Sequence, residues 1–194
     1  MKSGKEEKIL KAAEKVFAKK GFFPTRIDDI AEEAGVAKGT IYLYFPDKQS
    51  IYVSLLDNRL VEMIDFLEKV GSERIKATEK LKKIFNALFD SISEVKGMIS
   101  LVTIENINLT TEIMKELRLK TKHKFSQLID LLAKIIQEGI KHKELKNIDP
   151  KLGALIFLNF VHTSFQAQMY IPGIKEQRNK IREILFYGIK PNKQ

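Results

Sequence analysis

Cysteine and tryptophan are both absent from the 194 residues, and only five prolines and three histidines occur. Without cysteine, the chain has neither disulfides nor thiolate metal sites. His123, His142 and His162 include no pair at i, i+4, so the helical zinc-ligand pattern is missing too. Carboxylates alone could still hold a hard cation, but no metal and no cofactor is expected. No nucleophile–base pair, carboxylate dyad or phosphate-cradling glycine loop stands out, which leaves catalysis without a named actor. Long apolar runs are scarce as well. The one candidate, "LGALIFLNFVHTSFQAQMYIPG", has roughly the length of a membrane span but carries Asn159, His162, Gln166 and Gln168. It reads as a buried core helix. The N-terminal "MKSGKEEKILKAAEKVF" is charged throughout, unlike a secretory signal or membrane anchor. A cytoplasmic protein with no membrane partner is expected.

The formal charge is +9, which favours a polyanionic partner only in a general way. Residues 1–48 hold ten Lys/Arg against eight Asp/Glu, a net of +2, so +7 lies elsewhere. Bulk charge therefore does not locate a binding surface, and position has to.

Apolar residues recur with the 3.6-residue helical period along almost the whole chain, and almost nowhere with the alternation of a strand. Ile9, Ala12, Ala13, Val16 and Phe17 form one apolar face, followed by Gly21 as a stop. Thr25 is expected to open a second helix, with Asp28 three residues on in a capping-box-like arrangement. Gly35 ends it, and a very short helix follows over about Lys38–Tyr44, before Pro46. Long helices are expected from Asp47 to about Val70, Thr78 to Glu94 and Thr111 to Lys141, with a short one around Ile99–Glu105. Asp149–Pro150 starts the apolar helix, and a last helix reaches about Gly188. The fold class is all-α.

Two helices joined by a short glycine-containing turn are the outline of a helix-turn-helix. Here they span about Arg26–Ala34 and Lys38–Tyr44, with Gly35, Val36 and Ala37 between. Gly35 supplies a positive φ, and Val36 plugs the angle. Gly39 removes a side chain where bulk would hold the second helix off a major-groove floor, at up to ~1 kcal/mol of helix propensity. Lys38 and Thr40 are placed to reach base edges or nearby phosphates. Tyr42 and Tyr44 can donate hydroxyl hydrogen bonds to phosphate while their rings pack on the protein. Lys48 and the hydroxyl of Thr25 are further backbone candidates, and Ile41, Leu43 and Phe45 lie toward the core. Half-buried packing is the ordinary role of tyrosines on a helix, so these residues alone do not settle DNA binding.

The strings "ILKAAEKVFAKKGF" and "TRIDDIAEEAGVAKGTIYLYFPDKQSIY", covering about residues 9–52, resemble the tetracycline-repressor (TetR) family of bacterial regulators. The resemblance lies in the spacing of Gly21, Thr25, Ile30–Ala31, Ala34–Gly35–Val36, Gly39, Tyr42, Phe45 and Lys48. It implies a three-helix DNA-binding domain over residues 1–47. It also implies a larger helical domain over 48–194 that binds a small-molecule effector and forms a homodimer through its last two helices. Two departures stand out. Ala37 sits where the family often has a serine that caps the recognition helix and contacts phosphate, and Arg26 sits where threonine or serine is common. Arg26 is a candidate to recover a phosphate contact. Within the family, "GTIYLYF" and the layout after it look most like the fatty-acid-degradation repressors, which respond to long-chain acyl-CoA.

Beyond residue 52 the residues themselves leave alternatives open. Leu155, Ile156, Phe157, Leu158, Phe160, Val161 and Phe165 crowd one helix, as a bundle core or a dimer interface. Asn159, His162, Thr163 and Gln166 recur at i, i+3, i+4, i+7, either as interhelical hydrogen-bonding groups or as polar fingers in an apolar effector pocket. Phe85, Phe89 and Phe125 could line the same pocket or be ordinary core. Lys115–Lys124 is a solvated face or a site for an anionic headgroup. The expected function is a dimeric transcriptional repressor on palindromic double-stranded operator DNA, released by an apolar effector. The rival is an all-helical small-molecule-binding protein or enzyme with a vestigial helix-turn-helix.

Overall fold

A computed structural model describes residues 4–94 and 111–189, with most of their side chains. Among these residues the regular structure is entirely helical. The elements are α1 (Gly4–Lys20), α2 (Ile27–Ala34), α3 (Lys38–Tyr42), α4 (Lys48–Gly71), α5 (Ala77–Glu94), α6 (Thr111–Lys141), α7 (Pro150–Tyr170) and α8 (Arg178–Ile189), with a 3-10 turn at Ile174–Gln177. The expected short helix at Ile99–Glu105 lies outside the described residues. No described helix is long and apolar enough to cross a membrane. The chain divides into two compact units. One is Met1–Val61 with the described part of Val95–Lys122, and the other is Glu62–Glu94 with His123–Gln194. The division expected after residue 47 falls at the start of α4, and α4 itself has residues in both units.

In the first unit, Ile9, Ala13, Val16 and Phe17 of α1 meet Ile30 and Ala31 of α2, Ile41 of α3, and Ile51, Tyr52, Leu55 and Leu56 of α4 in one core. α1 ends where Gly21 takes φ 81° and returns its N–H to the Phe17 carbonyl at 2.8 Å. Tyr52 is 2 % exposed. Its ring stands edge-on to Phe17 at 5.6 Å and lies 4.9 Å from Phe22. Arg59 on α4 pairs with Glu14 on α1, and Lys15 pairs with Glu33 on α2 at 3.1 Å.

The start of α2 is one residue later than its sequence signals indicate. Arg26, in extended conformation, is the N-cap. Its N–H donates to Asp29 Oδ2 at 2.8 Å, so Asp29 rather than Asp28 closes the first turn. Thr25 is buried, and its hydroxyl donates backward to the Gly21 carbonyl at 2.6 Å. It ties the turn to the end of α1 instead of capping α2.

That turn would otherwise leave carbonyls unpaired, and one ammonium collects them. Lys48 Nζ donates to the carbonyls of Phe22 (2.7 Å), Phe23 (3.1 Å) and Thr25 (2.8 Å). It also sits 4.5 Å from the centroid of the Phe22 ring. Burial pulls the Lys48 pKa below the ordinary lysine value, while the carbonyl dipoles and the ring face favour the cation. An ammonium has three N–H donors, and all three are engaged.

In the second unit, Leu81, Ile84, Phe85 and Phe89 of α5 are fully buried, with Leu128, Leu132, Ile135 and Ile136 of α6 and Phe157 and Val161 of α7. Lys80 is 3 % exposed and donates to the Gly71 carbonyl at 2.9 Å and to Glu138 at 2.8 Å, joining the end of α4 to α5 and α6. Asp149 caps α7 by accepting from Leu152 N–H at 2.8 Å. The expectation of a buried core helix holds for only part of α7. Ala154, Phe157, Val161 and Ser164 are buried, but Leu152, Leu155, Ile156, Asn159 and Thr163 are exposed. The run is apolar all round, and part of that apolar surface is left exposed.

Two outcomes follow from the first unit. Lys48→Met keeps the aliphatic stem but strands three carbonyls, and is expected to cost about 1–3 kcal/mol of stability, read by urea unfolding. Lys48→Arg should recover only part of it, because a planar fork does not match acceptors spread around a point charge. A Lys48→Met protein of unchanged stability would remove the fastening role. Separately, burial pushes the Tyr52 phenol from 10.0 up to about 12. Folding thus favours the neutral phenol, whose contribution is complete below the unfolded value and lost as pH rises through the folded one. Tyr52→Phe should remove an alkaline stability loss on the order of 2–3 kcal/mol, measured by denaturant unfolding from neutral pH to about 12. An identical alkaline slope in both proteins would assign the loss to another group.

Candidate nucleic-acid interface

The segment from Arg26 to Phe45 forms two short helices around a tight corner. Gly35 makes the corner possible. It adopts φ 58°, ψ 45°, a left-handed conformation that costs glycine nothing sterically. Its N–H meets the Glu32 carbonyl at 3.0 Å, and Val36 N–H meets Ala31 at 3.1 Å, closing the end of α2. Val36 then packs against the core of the first unit, as expected for the plug. Ala37 is the N-cap of α3 and supplies no side-chain hydrogen bond. Only its carbonyl takes part, accepting from Thr40 N–H at 2.8 Å.

α3 presents two unlike faces. Ile41 is fully buried, Phe45 is 4 % exposed, and Tyr44 is packed against the same core. Outward lie Ala37, Lys38, Gly39, Tyr42 and Leu43, with Thr40 half-buried at the edge. Leu43 corrects the sequence expectation, since it is 82 % exposed. At about 100° per residue, positions 41, 44 and 45 share a face and 43 falls opposite. A Cβ built on Gly39 meets nothing within 4 Å. Among the described residues, no packing therefore requires glycine there.

Electrostatics sharpen the outer surface. Lys38 Nζ is 2.9 Å from Asp28 Oδ2 across the corner, and this hydrogen bond raises the Lys38 pKa above its ordinary value. Asp29 is held below the usual carboxylate range, first by its hydrogen bond from Lys20 and then by the Arg26 N–H. Of the nominated DNA contacts, Arg26, Ala37, Lys38, Gly39, Thr40 and Tyr42 come together around the exposed side of the corner. Tyr44 stands between that side and the core. Thr25 and Lys48 do not join them, because the hydroxyl proton of one and all three ammonium protons of the other are spent inside the protein. Leu43 and Asp28 belong to this surface and were not nominated. The Gly39–Leu43 spacing of one helical turn was the available signal for the leucine.

The nominated effector residues are dispersed. Phe85 and Phe89 are fully buried and stack on each other at 5.6 Å, and Phe160 stands 6.4 Å from Phe85. Phe125 is 40 % exposed. Asn159 is exposed and donates to the Leu155 carbonyl one turn back at 2.9 Å, so its hydrogen bond is local to α7 rather than interhelical. Thr163 is exposed and His162 half-buried, while the Gln166 side chain lies outside the described residues. A small apolar cavity of about 40 Å³ in the second unit is lined by Leu81, Ile136, Leu145, Ile148, Gly153 and Phe157 among others, and by none of the nominated residues. Among the described residues, no three His, Cys, Asp or Glu side chains are grouped to hold a metal.

Residues 9–55 match the family described as bacterial regulatory proteins, tetR family. The fatty acid metabolism regulator protein of Bacillus subtilis strain 168 is 32 % identical over 145 residues, covering 75 % of this chain and 73 % of that protein. The transcriptional regulator RutR of Escherichia coli K12 is 30 % identical over 165 residues, covering 85 % and 74 %. Among solved structures, the fatty acid degradation regulator FadR of Bacillus halodurans superposes with TM-score 0.79 at 25 % identity, over 97 % of each chain. FadR of Bacillus subtilis, solved in complex with stearoyl-CoA, gives 0.76 at 27 % identity over 94 % of this chain and 98 % of that one. With the corner at Gly35 and the open glycine on its outer helix, these likenesses identify the chain as a member of the tetR family of bacterial regulatory proteins, a DNA-binding transcriptional regulator and not an enzyme.

Proposed function

We propose that this regulator is a cytoplasmic, dimeric repressor that sets one α3 from each subunit into successive major grooves of a palindromic operator. The observation that carries the reading is Gly39. It is exposed, on the outer face of α3, and among the described residues no neighbour would object to a side chain. A glycine that the fold does not need, and that weakens a helix, is accounted for by close approach to an external surface. Residues 1–47 act as the reading head in this view, and 48–194 as the effector and dimerisation part. Lys38 and Thr40 address base edges, and Arg26, Tyr42 and Tyr44 address phosphates.

Dimerisation uses the last two helices. Leu152 and Ile156 of α7 are 52 % and 47 % exposed, and Ile184 and Tyr187 of α8 are 66 % and 81 % exposed. Each is an apolar group on a helix face that its own unit leaves uncovered, which suits a self-complementary twofold interface. The effector is a long-chain acyl-CoA, a reading supported by the relatedness to fatty acid regulators, one of which was solved in complex with stearoyl-CoA. The acyl chain favours a dimer whose heads no longer match the operator spacing. It does so only by its differential affinity for the two states, and operator and effector must then weaken one another reciprocally.

Anisotropy titration against the protein's own upstream duplex, at several salt concentrations, tests the reading. Specific binding should exceed random-duplex binding by about three orders of magnitude or more, fall steeply with salt and be relieved by added oleoyl-CoA. Flat, sequence-blind binding would sink it. Gly39→Ala makes a sharper test, since it should leave the fold unharmed or up to ~1 kcal/mol more stable while weakening operator binding at least about tenfold. Retained affinity would mean that the approach at this position is not close.

A further inference from the structure

We infer that Leu43 is a specificity residue that reads the 5-methyl group of a thymine in each operator half-site. At 82 % exposure it is the most exposed large apolar side chain among the described residues. The fold does not use it, because Ile41 and Phe45 on the other side of α3 fill the core. Its backbone continues the helix at φ −68°, ψ −24°, and its N–H reaches the Gly39 carbonyl at 3.3 Å. Leu43 therefore stands one turn beyond Gly39 on the same face. The pair forms a gap followed by an apolar knob, with Thr40 at the edge and Lys38 and Tyr42 alongside.

Leucine has neither donor nor acceptor, so it cannot address a phosphate or the hydrogen-bonding edge of a base. The apolar group that a base pair displays in the major groove is the thymine methyl. The proposed contact buries that methyl against the isobutyl group, removing two apolar surfaces from water. Cytosine at the same position would offer only a C5–H there, with no methyl to bury. The inference rests on the reading that this face of α3 meets operator DNA.

The test starts with duplexes selected from a random pool by the full-length protein, in which deoxyuridine then replaces thymidine one position at a time. Deoxyuridine keeps every hydrogen-bonding group and lacks only the methyl. One thymine in each half-site should show a loss of about three- to fivefold on replacement, the scale of one buried methyl group. The loss should vanish in Leu43→Ala, whose thermal unfolding should match the parent because the side chain is exposed. Uniform tolerance of deoxyuridine by the parent, or undiminished sensitivity in Leu43→Ala, would overturn the assignment while leaving operator binding intact. Failure to select any duplex would overturn the operator reading itself, and this inference with it.

Discussion

The connection between α1 and α2 in the first unit depends on one ammonium, that of Lys48. Between α1 and α2 the chain reverses through Phe22, Phe23, Pro24 and Thr25, a stretch too short for secondary structure to satisfy its own carbonyls. Three of those carbonyls converge on one side chain from the first residue of α4. A buried carbonyl without a donor is expensive, and a hydrated cation brought inside without acceptors is worse. Each compensates the other. With the turn fixed, Thr25 reaches back to Gly21 and Arg26 becomes the cap of α2. The helix then begins one residue later than its sequence signals suggest, and the corner and α3 follow from that register.

α3 is a helix with little intrinsic support. Five residues make it, its cap contributes no side chain, and it contains a glycine. By propensity alone such a helix would not persist. It is held from outside itself, by Ile41 and Phe45 in the core and by the closed end of α2 before it. Support is concentrated on one face, and Lys38, Gly39, Tyr42 and Leu43 lie exposed on the other. Lys38 is not idle, since Asp28 holds it at 2.9 Å.

The second unit resolves an ambiguity that the composition of α7 created. Its aromatic and aliphatic residues are too many for one face, and several of them divide between core and surface. Phe157 and Val161 go inward, while Leu152 and Ile156 stay exposed. Two of the described polar residues of the same helix find their partners within it. Asn159 and Ser164 bond to carbonyls one turn back, which satisfies them without a partner helix. Lys80, almost wholly buried between Gly71 and Glu138, fastens three helices of this unit as Lys48 fastens the turn between α1 and α2.

The all-α class, most helix boundaries and the corner at Gly35 were legible in the sequence, because helical periodicity, capping residues and positive-φ glycines are local properties of the chain. The family likeness was legible for the same reason, being a matter of residue types at fixed short spacings. Side-chain assignment within the site was less so. Thr25 and Lys48 look like DNA contacts by position, but their donors are consumed by carbonyls that lie 4 and more than 20 residues away along the chain. Leu43 looks like core by composition and is exposed, because α3 is too short for a periodic pattern to reveal which face is buried. Sequence by itself determined where the chain turns and what chemistry each short stretch carries. Only the tertiary structure decided which polar groups remain available at the surface, since that depends on partners brought together from distant parts of the chain.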